Sequence, residues 1–334
     1  MGITGKELAH RLGLSAAAVS MALNNKSGVS TATKQLVMEA AEKYGYDFTR
    51  ISSRQGWTKK IYFIYYRKHG AIVNDNPFFA EISDSIEQAC KDRDLRLNIR
   101  YLYEEDDIVR RLEDMVYSDC AGMILLGTEM HKEDFIPFED LPVPIILLDT
   151  YLDGIKRDCV LINNIQGAFV ASDFLIRRTK KQPGYLRSSY SINNFDERAD
   201  GFYKAVRHHG YSASKSIVHR LSPSIDGAFA DMMEILNRNE AIAPCYFADN
   251  DMIALGAMKA FQDKGLSVPG DISIVGFDNI SLCNYVSPGL TTINVPKKYM
   301  GEMAVARLVE LMTAKRFVPI KLEVQTNLVK RQSA

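Results

Sequence analysis

Residues 4–23 read TGKELAHRLGLSAAAVSMAL, which is the layout of two short helices joined by a tight turn. Thr4 and Glu7 fit a capping box, in which the Thr hydroxyl accepts from an early backbone N–H and the Glu carboxylate accepts from the N–H of the cap residue. This predicts a helix that begins directly after Thr4 and ends at Gly13. Ser15 is placed to cap a second helix. The stretch is therefore predicted to form a helix-turn-helix.

Apolar residues recur in this stretch at helical spacing, so one face of the helix pair is predicted to be buried. They are Leu8, Leu12, Leu14, Val19 and Leu23. A third helix is predicted from Ser30 to Tyr44, with Gly45 as its stop. The residues on its apolar side are Leu36, Val37, Ala40 and Ala41. Three such helices can close a small core.

A set of residues around the second helix forms a recognisable pattern: Leu14-Ser15, Val19-Ser20, Leu23-Asn24, Gly28-Val29-Ser30 and Gly45-Tyr46. In this pattern the sequence resembles the LacI/GalR (lactose/galactose repressor) family of bacterial transcription factors. The resemblance implies that the second helix enters the major groove of DNA, and that the segment after the third helix also contacts the duplex. The DNA-contacting residues that it implies are Thr4, Ser15, Ala16, Ala17, Ala18, Ser20, Met21, Asn24, Arg50, Ile51 and Arg54.

Two features depart from the family pattern. The recognition helix carries Ala16, Ala17 and Met21, which cannot make bidentate base contacts, so we expect it to read DNA through thymine methyl groups, Ser20 and the shape of the duplex. The linker, residues 47–60, lacks the usual proline. It has Gln55 near the position of the leucine that relatives wedge into the minor groove, so the sequence leaves open whether a hinge helix forms. The only tryptophan, Trp57, lies in this linker.

Composition indicates the class of protein. The chain has 334 residues, 46% of them apolar, which is enough for more than one domain. Its net charge is zero, but residues 1–60 hold nine Lys and Arg against four Asp and Glu, so the cationic end is where a phosphate backbone would be met.

The sequence also indicates where the protein is located and whether it binds a metal or a cofactor. No apolar run approaches ~18 residues and the N-terminus lacks the order of a secretory signal, so we expect a cytoplasmic protein without membrane contact. The five cysteines have no C-x-x-C spacing, which is typical of reduced thiols and argues against disulfides and zinc; they are Cys90, Cys120, Cys159, Cys245 and Cys283. No metal and no cofactor is expected.

From Ile61 onward, short apolar runs alternate with amphipathic stretches, which predicts parallel sheets covered on both sides by helices. A first series of strands is predicted at 61–66, 95–101, 123–127 and 145–149, with a helix over 78–93. A second series is predicted at 184–187, 217–219, 244–248 and 272–277. Two such sheets indicate two lobes, and ligands of open parallel sheets bind beyond the carboxyl ends of the strands.

The family resemblance extends over this region through three runs: Asn250 to Met258, Gly265 to Asn279, and Leu290 to Ile293. It implies a two-lobed α/β domain of periplasmic-binding-protein type (type I), crossed three times by the chain near residues 162, 292 and 324. The implied division is a helix-turn-helix domain (1–46), a linker (47–60) and an effector-binding and dimerisation domain (61–334). Within that domain, lobe 1 is about 61–161 plus 293–323, and lobe 2 is about 162–292 plus 324–334.

Polar residues follow several of the predicted strands. Asp149, Asn250 and Asp278 each come directly after an apolar run, where the cleft opens. Carboxylates and amides suit hydroxyl recognition, and a guanidinium such as that of Arg198 can fork onto two oxygens. By resemblance, Arg198, Asn250 and Asp278 match positions that contact effector in relatives. The alternative is that the two aspartates cap turns or helices and that Arg198 forms an ion pair with a neighbouring carboxylate.

Two aromatic residues complete the predicted effector site. Phe78 and Phe79 fall where the first lobe of relatives meets its ligand, and core packing is an equal interpretation.

The sequence is therefore interpreted as that of a repressor that binds a pseudo-palindromic double-stranded operator under control by a small ligand, a sugar or sugar derivative. A homodimer is expected, with a tetramer as the alternative. Phosphate-binding glycine loops and recognisable catalytic triads are absent from the sequence, so an enzyme is not expected. Two rival hypotheses are a transport solute-binding protein, disfavoured by the helix-turn-helix, and a regulator that responds to a protein partner.

Overall fold

A computed structural model describes residues 3–23, 29–46, 59–314 and 318–334. The described N-terminal residues form the helices α1 (Gly5–Leu12), α2 (Ala16–Leu23) and α3 (Thr31–Lys43). The predicted capping box is present, because Thr4 Oγ1 accepts from the Glu7 N–H (3.3 Å) and the Thr4 N–H donates to Glu7 Oε2 (2.8 Å). Gly13 ends α1 with a left-handed φ of 64°, and Ser15 Oγ accepts from the Ala18 N–H at 3.0 Å. The predicted starts of both helices are confirmed.

The three helices close their own core. Leu8, Val19 and Val37 are among its buried residues, and Leu12 and Leu14 pack against it. The prediction for Leu36 is wrong, since 48% of this residue is exposed. Leu36 lies about 100° around the helix from Val37, at the margin of the apolar stripe. A core of three short helices is too small to cover it.

Residues 59–334 alternate strands with helices, as predicted. The strands are β1 (Lys59–Arg67), β2 (Leu95–Tyr103), β3 (Cys120–Leu126), β4 (Ile145–Leu148), β5 (Asp158–Ile162), β6 (Gly184–Ser188), β7 (Val218–Leu221), β8 (Cys245–Ala248), β9 (Ser273–Asp278), β10 (Thr291–Asn294), β11 (Lys321–Val324) and β12 (Asn327–Val329). The helices are α4 (Pro77–Lys91), α5 (Ile108–Val116), α6 (Asn164–Thr179), α7 (Asn193–His208), α8 (Ile225–Asn237), α9 (Asp251–Asp263) and α10 (Lys297–Thr313).

The strands form two six-stranded sheets, in the orders β11-β5-β4-β3-β1-β2 and β12-β10-β9-β8-β6-β7. We call the first sheet with its helices lobe 1 and the second lobe 2. Neighbouring strands pair in parallel except β10 and β12, which are antiparallel. The chain passes between the lobes after Ile162, after Asn294 and after Val324. This is the predicted two-lobed α/β architecture.

Helices cover the sheets and leave the carboxyl ends of the strands facing the boundary between the lobes. In lobe 1, α4 packs against α10, and in lobe 2, α6 packs against α7 and α8 against α9. None of the described helices is long and apolar enough to span a membrane. The loops at the strand ends are therefore the part of the fold where polar side chains from both lobes can meet.

Candidate functional site

One face of α2 presents the residues predicted to contact DNA. Ala16, Ala17 and Ser20 are exposed, whereas Val19 and Leu23 on the opposite face are buried. Ser15 is exposed as well, although its hydroxyl caps the helix. The exposed side chains of α2 are thus small and uncharged. They allow close approach to a base edge and cannot make bidentate hydrogen bonds to a base.

The remaining predicted DNA contacts are less uniform. Thr4 is exposed and its hydroxyl takes part in the capping box, while Ala18 and Met21 are half-buried. Four predicted contacts, Asn24, Arg50, Ile51 and Arg54, lie outside the described residues, as does Trp57.

At the boundary between the lobes, three predicted effector residues come together. Arg198 of α7 lies 3.3 Å (Nη2 to Oδ1) from Asp278, which ends β9. Asp149, directly after β4, faces the same group of charges from lobe 1. All three residues are at least 96% buried, with exposed fractions of 3%, 4% and 2% respectively. We call them the cleft cluster.

Arg198 is held by several neighbours besides Asp278. Its Nε donates to Asn164 Oδ1 at 2.9 Å and its Nη1 donates to the backbone carbonyl of Asp249. The guanidinium carbon lies 3.8 Å from the centroid of the Phe277 ring, a cation–π contact. The predicted alternative, an ion pair with a neighbouring carboxylate, is therefore part of the arrangement, and it places the guanidinium in the cleft.

Asp149 connects the lobes. Its Oδ2 accepts from Thr128 Oγ1 (2.7 Å) within lobe 1, and its Oδ1 accepts from Asn194 Nδ2 (2.9 Å) at the start of α7 in lobe 2. Asn194 Nδ2 also lies 3.2 Å from the backbone oxygen of Asp149, to which it donates. The amide of Asn194 thus joins the two lobes at Asp149.

The backbone at these strand ends is unusual. Asp149 has a φ of 59° and Asp278 a φ of 110°, both in the left-handed half of the map that residues other than glycine rarely adopt. Such conformations cost of order 1–3 kcal/mol each and persist where the surrounding structure demands them, often at functional sites. Both aspartates are therefore held in place by tertiary contacts.

Burial changes the protonation of the acids around Arg198. Burial raises the pKa of Asp149 to about 7 and that of Asp278 to about 6, against the opposing effect of Arg198. Burial likewise raises the pKa of Asp249 to about 6 and that of Asp251 to about 7. The cleft therefore contains carboxyl groups that change charge near neutral pH.

The other three predicted effector residues take different positions. Asn250 Oδ1 accepts from the Ile253 N–H at 2.9 Å, so this side chain caps α9, which is the alternative raised from the sequence. Phe78 and Phe79 are 2% and 4% exposed and pack edge to face within the lobe 1 core. Phe78 still borders the cleft, because Lys297 Nζ lies 5.7 Å from its ring centroid.

Lys297 was not predicted from the sequence. Its ammonium group donates to the backbone oxygens of Asp278 (2.8 Å) and Asn279 (3.0 Å), and lies 3.4 Å from Glu81 Oε2 of lobe 1. Lys297 follows strand β10 at a crossing between the lobes, so the strand-end rule that selected Asp149 could also have selected this residue. Thr128 directly follows the predicted strand at 123–127 and could have been selected in the same way, whereas no comparable signal marks Asn194.

A cavity of about 450 Å³ lies between the lobes; the three residues of the cleft cluster do not line it, and Asn194, which donates to Asp149, does. Tyr151, Leu161 and Lys321 line it from lobe 1, and Asn194 and Glu197 from lobe 2. No group of His, Cys, Asp and Glu able to hold a metal ion occurs in the described parts of the chain. The five cysteines are free thiols, four of them buried.

Two family models match the chain. Residues 4–47 match the model for bacterial regulatory proteins of the lacI family, and residues 173–334 match the model for a periplasmic binding protein-like domain. The two matches fall on the three-helix unit and on the second half of the two-lobed unit.

Individual proteins that are similar to this chain match over nearly its whole length. The HTH-type transcriptional regulator GalR of Escherichia coli (strain K12) is 28% identical over 99% of this chain and 95% of its own. The HTH-type transcriptional repressor PurR of Actinobacillus pleuropneumoniae serotype 3 (strain JL03) is 28% identical over 99% of this chain and 98% of its own. The crystal structure of the lac repressor dimer bound to operator and the anti-inducer ONPF shares the fold, with a TM-score of 0.72 and 21% identity over 100% of this chain and 99% of its own.

Proposed function

This chain belongs to the lacI family of bacterial regulatory proteins, and from that premise we propose that it is a repressor whose affinity for an operator is set by a small ligand between its lobes. It is a DNA-binding transcriptional regulator and not an enzyme. The proposal adds the site of the ligand, its chemical class and the way in which it acts.

The observation that carries the proposal is an unsatisfied acceptor in the cleft. Asp278 Oδ1 is buried and has no hydrogen-bond donor among the described residues, although the Arg198 guanidinium lies 3.3 Å away. A buried acceptor without a donor costs about 1–3 kcal/mol in full, and the nearby guanidinium offsets part of that cost. A ligand hydroxyl would donate to Asp278 and accept from Arg198, which removes this cost.

The balance of charge favours an uncharged, hydroxyl-rich ligand. Asp149, Asp249 and Asp278 face Arg198, and Asp278 and Glu81 face Lys297, so carboxyl groups outnumber basic groups. A phosphate group would meet this excess of acids at close range. We therefore place sugars and their neutral derivatives ahead of sugar phosphates.

The DNA side of the proposal is supported by the three-helix unit and the charge of its end of the chain. GalR is named as an HTH-type transcriptional regulator and PurR as a repressor. We propose that α2 lies in the major groove, with Ser15, Ala16, Ala17 and Ser20 next to base edges. A homodimer would present two such helices to the two halves of a pseudo-palindromic operator.

Linkage connects the two sites. A ligand that binds one arrangement of the lobes more tightly shifts the population toward it, and with it the spacing of the two DNA-binding units. We keep the division into residues 1–46, 47–60 and 61–334, with lobes near 61–161 plus 293–323 and 162–292 plus 324–334, as part of this proposal. A cytoplasmic location belongs to it as well, because the operator is there.

The linker residues that lie outside the described chain also enter the proposal. Arg50 and Arg54 would hold phosphates, and Ile51 would contribute modestly at the minor groove. Gly56 and two neighbouring serines disfavour a stable helix, so we expect the DNA to be bent less than by hinge-helix repressors. A circular-permutation gel assay tests this expectation, and a bend as large as that of a hinge-helix repressor would contradict it.

A ligand screen tests the central claim. Thermal unfolding of the full chain is measured with neutral sugars, sugar phosphates and nucleobases, and each compound that raises the melting temperature is titrated into a DNA-binding assay. A ligand at 100 times its Kd should add about 2.7 kcal/mol of stability. We expect a neutral sugar to raise the melting temperature of the wild type and to leave that of Arg198→Lys unchanged. Stabilisation by sugar phosphates alone, or equal stabilisation of both proteins, would contradict the proposed site.

A further inference from the structure

A buried glutamate outside the cleft cluster holds one wall of the cleft. Glu129 follows β3 and is 1% exposed. Its Oε2 accepts from the N–H groups of Lys68 (3.0 Å), His69 (3.2 Å) and Gly70 (2.8 Å). Its Oε1 accepts from the N–H groups of Ile72 (2.9 Å) and Val73 (3.1 Å). One carboxylate thus satisfies five backbone donors of a single loop.

That loop, residues 68–76, joins β1 to α4 and is called the wall loop here. Because β1 and β3 are neighbours in the sheet, their carboxyl ends lie side by side and Glu129 reaches the wall loop directly. Gly70 has a φ of 69° and so turns successive N–H groups toward one point, which creates an anion-binding concavity. Glu129 supplies the anion from within the protein.

The wall loop touches the other lobe. The imidazole of His69 lies 4.5 Å, centroid to centroid, from the ring of Tyr190 in lobe 2. The Tyr190 N–H donates to Ser188 Oγ at 3.0 Å, and the Ser188 N–H donates to Asp249. The backbone oxygen of Asp249 in turn accepts from Arg198. A continuous set of contacts therefore leads from Glu129 to the guanidinium in the cleft.

A second path starts from the residue before Glu129. Thr128 Oγ1 donates to Asp149, and Asp149 accepts from Asn194 Nδ2 across the boundary between the lobes. Asn194 Oδ1 accepts from Asn164 Nδ2 at 3.3 Å, and Asn164 Oδ1 accepts from Arg198. Both paths begin in the dipeptide Thr128-Glu129 and both end at Arg198.

We infer that Thr128-Glu129 is a positioning unit for the cleft, which couples the lobe 1 wall to Arg198 of lobe 2 by two separate paths. Glu129 fixes the wall loop so that His69 meets Tyr190, and Thr128 orients Asp149 toward Asn194. Neither residue is expected to touch a ligand. The meaning of this coupling for gene regulation rests on the proposed function, whereas its existence does not.

Amide hydrogen exchange of the full-length protein, followed by mass spectrometry, tests the coupling without DNA or ligand. In Glu129→Gln, an NH₂ group replaces one of the two carboxylate oxygens. The two or three loop N–H groups that donated to that oxygen then lose their acceptor. Loss of these buried hydrogen bonds destabilises the wall loop and, through the contact between His69 and Tyr190, the segment of lobe 2 that it touches. We therefore expect amide exchange to accelerate by about tenfold or more in peptides covering 68–73 and 188–190. Glu133→Gln, the same change at an exposed position nearby, should alter neither peptide.

The second path predicts a different pattern. Thr128→Val removes the hydroxyl with little change in shape, so exchange should accelerate in the peptide covering 193–198 and stay within about twofold of the wild type in 68–73. If Glu129→Gln fails to fold, His69→Ala serves in its place: it keeps the five hydrogen bonds to Glu129 and removes only the acceptor of the Ala71 N–H, so exchange should accelerate across 188–190 and, within 68–73, by no more than one amide.

Two results would overturn the inference. One is acceleration at 68–73 in Glu129→Gln with no change at 188–190, which would mean that the wall loop is held without coupling to lobe 2. The other is the same uniform acceleration across lobe 1 in Glu129→Gln and Thr128→Val, which is the result of general destabilisation. A failure here would leave the proposed regulator intact, and a regulator without ligand control would still show the exchange pattern.

Discussion

In the three-helix unit the predicted contact residues lie on the outside, whereas in the two-lobed unit the predicted contact residues lie inside. The face of α2 exposes Ala16, Ala17 and Ser20, while Arg198 and Asp278 are almost fully buried. DNA is a large partner that must be met at a surface. A small ligand is bound most selectively where water is excluded and polar groups are fixed.

The two units also differ in the pKa values of their carboxyl groups. Hydrogen bonds from the Thr4 backbone and hydroxyl lower the pKa of Glu7, which is at the surface. Burial raises the pKa of Asp149 to about 7. A capping carboxylate is thus stabilised in its charged form by local partners, and a cleft carboxylate is destabilised in its charged form by its surroundings.

The largest expected effect comes from separating the two units. Deleting residues 1–60 should abolish binding to an operator selected from random pseudo-palindromic duplexes, because this segment carries the α2 face and nine of the basic residues. Residues 61–334 should remain folded, since the helices have a core of their own. Binding is measured by fluorescence anisotropy, and for the full chain affinity should fall steeply as salt rises. Operator binding of equal affinity by the truncated protein would show that the three-helix unit is not the DNA-binding part of the chain.

The next largest effect concerns the buried ion pair. Arg198→Ala leaves Asp278 buried without its cation and removes the hydrogen bonds to Asn164 and Asp249, which should cost about 3–5 kcal/mol of unfolding free energy. The matched control is Arg238→Ala, which breaks an exposed pair with Glu234 and should cost about 0.5 kcal/mol or less. Urea unfolding of both variants checks the difference, and similar costs would mean that the cleft is more solvated than its burial indicates.

A third effect is the pH dependence of stability, which should have opposite signs in the two units. In the two-lobed unit, the folded pKa values of the buried residues Asp149 and Asp251, about 7, lie above their value of 3.8 in the unfolded chain. The folded state then binds more protons, so the stability contributed by these groups is fully present below about pH 4 and is lost as pH rises toward 7. For Glu7 the folded pKa is lowered, so its contribution is present above pH 4.5 and is lost as pH falls.

Variants isolate these contributions. Urea unfolding of residues 61–334 at pH 5 to 8 should show that Asp149→Asn and Asp251→Asn each flatten the decline of stability with rising pH. Glu7→Gln should reduce the acid sensitivity of amide exchange in α1 of the full chain. An unchanged slope in both aspartate variants would show that the cleft carboxyl groups are ionised throughout this range.

The smallest expected effect is local to α1. Thr4→Ala removes the capping box and should destabilise the three-helix unit by about 0.5–2 kcal/mol. Thr31→Ala, the same change at an exposed position within α3, is the control and should have a smaller effect. Amide exchange of residues 5–12 checks this, with equal rates in the two variants counting against the capping role.

Local patterns predicted much of the fold. The capping box at Thr4, the stop at Gly13 and the apolar runs of β1 to β4 and β6 to β9 all appear near their predicted places. The prediction was incomplete for β5, β10, β11 and β12; the last three, TTIN, KLEV and NLV, have only one or two apolar residues each. These strands form through pairing with neighbours that are distant in sequence.

The candidate site was predicted in part, for the same kind of reason. Asp149, Asp278 and Arg198 follow from strand ends and from family resemblance, and the structure brings them together. Asn250 was expected in the cleft, and its oxygen caps a helix. Lys297 was not predicted, because its partner Asp278 is 19 positions away and only the crossing of the chain brings the two residues into contact.

By itself, the sequence determined the family, the helix-turn-helix, the alternation of strands and helices, and the polar groups at the strand ends, because each depends on residues a few positions apart. The tertiary structure decided which groups meet. Glu129 binds N–H groups 56 to 61 residues earlier in the chain, and Asp149 meets Asn194 45 residues later. Such pairings depend on how two sheets face each other, and burial within that arrangement, rather than residue type, sets the protonation of the cleft carboxyl groups.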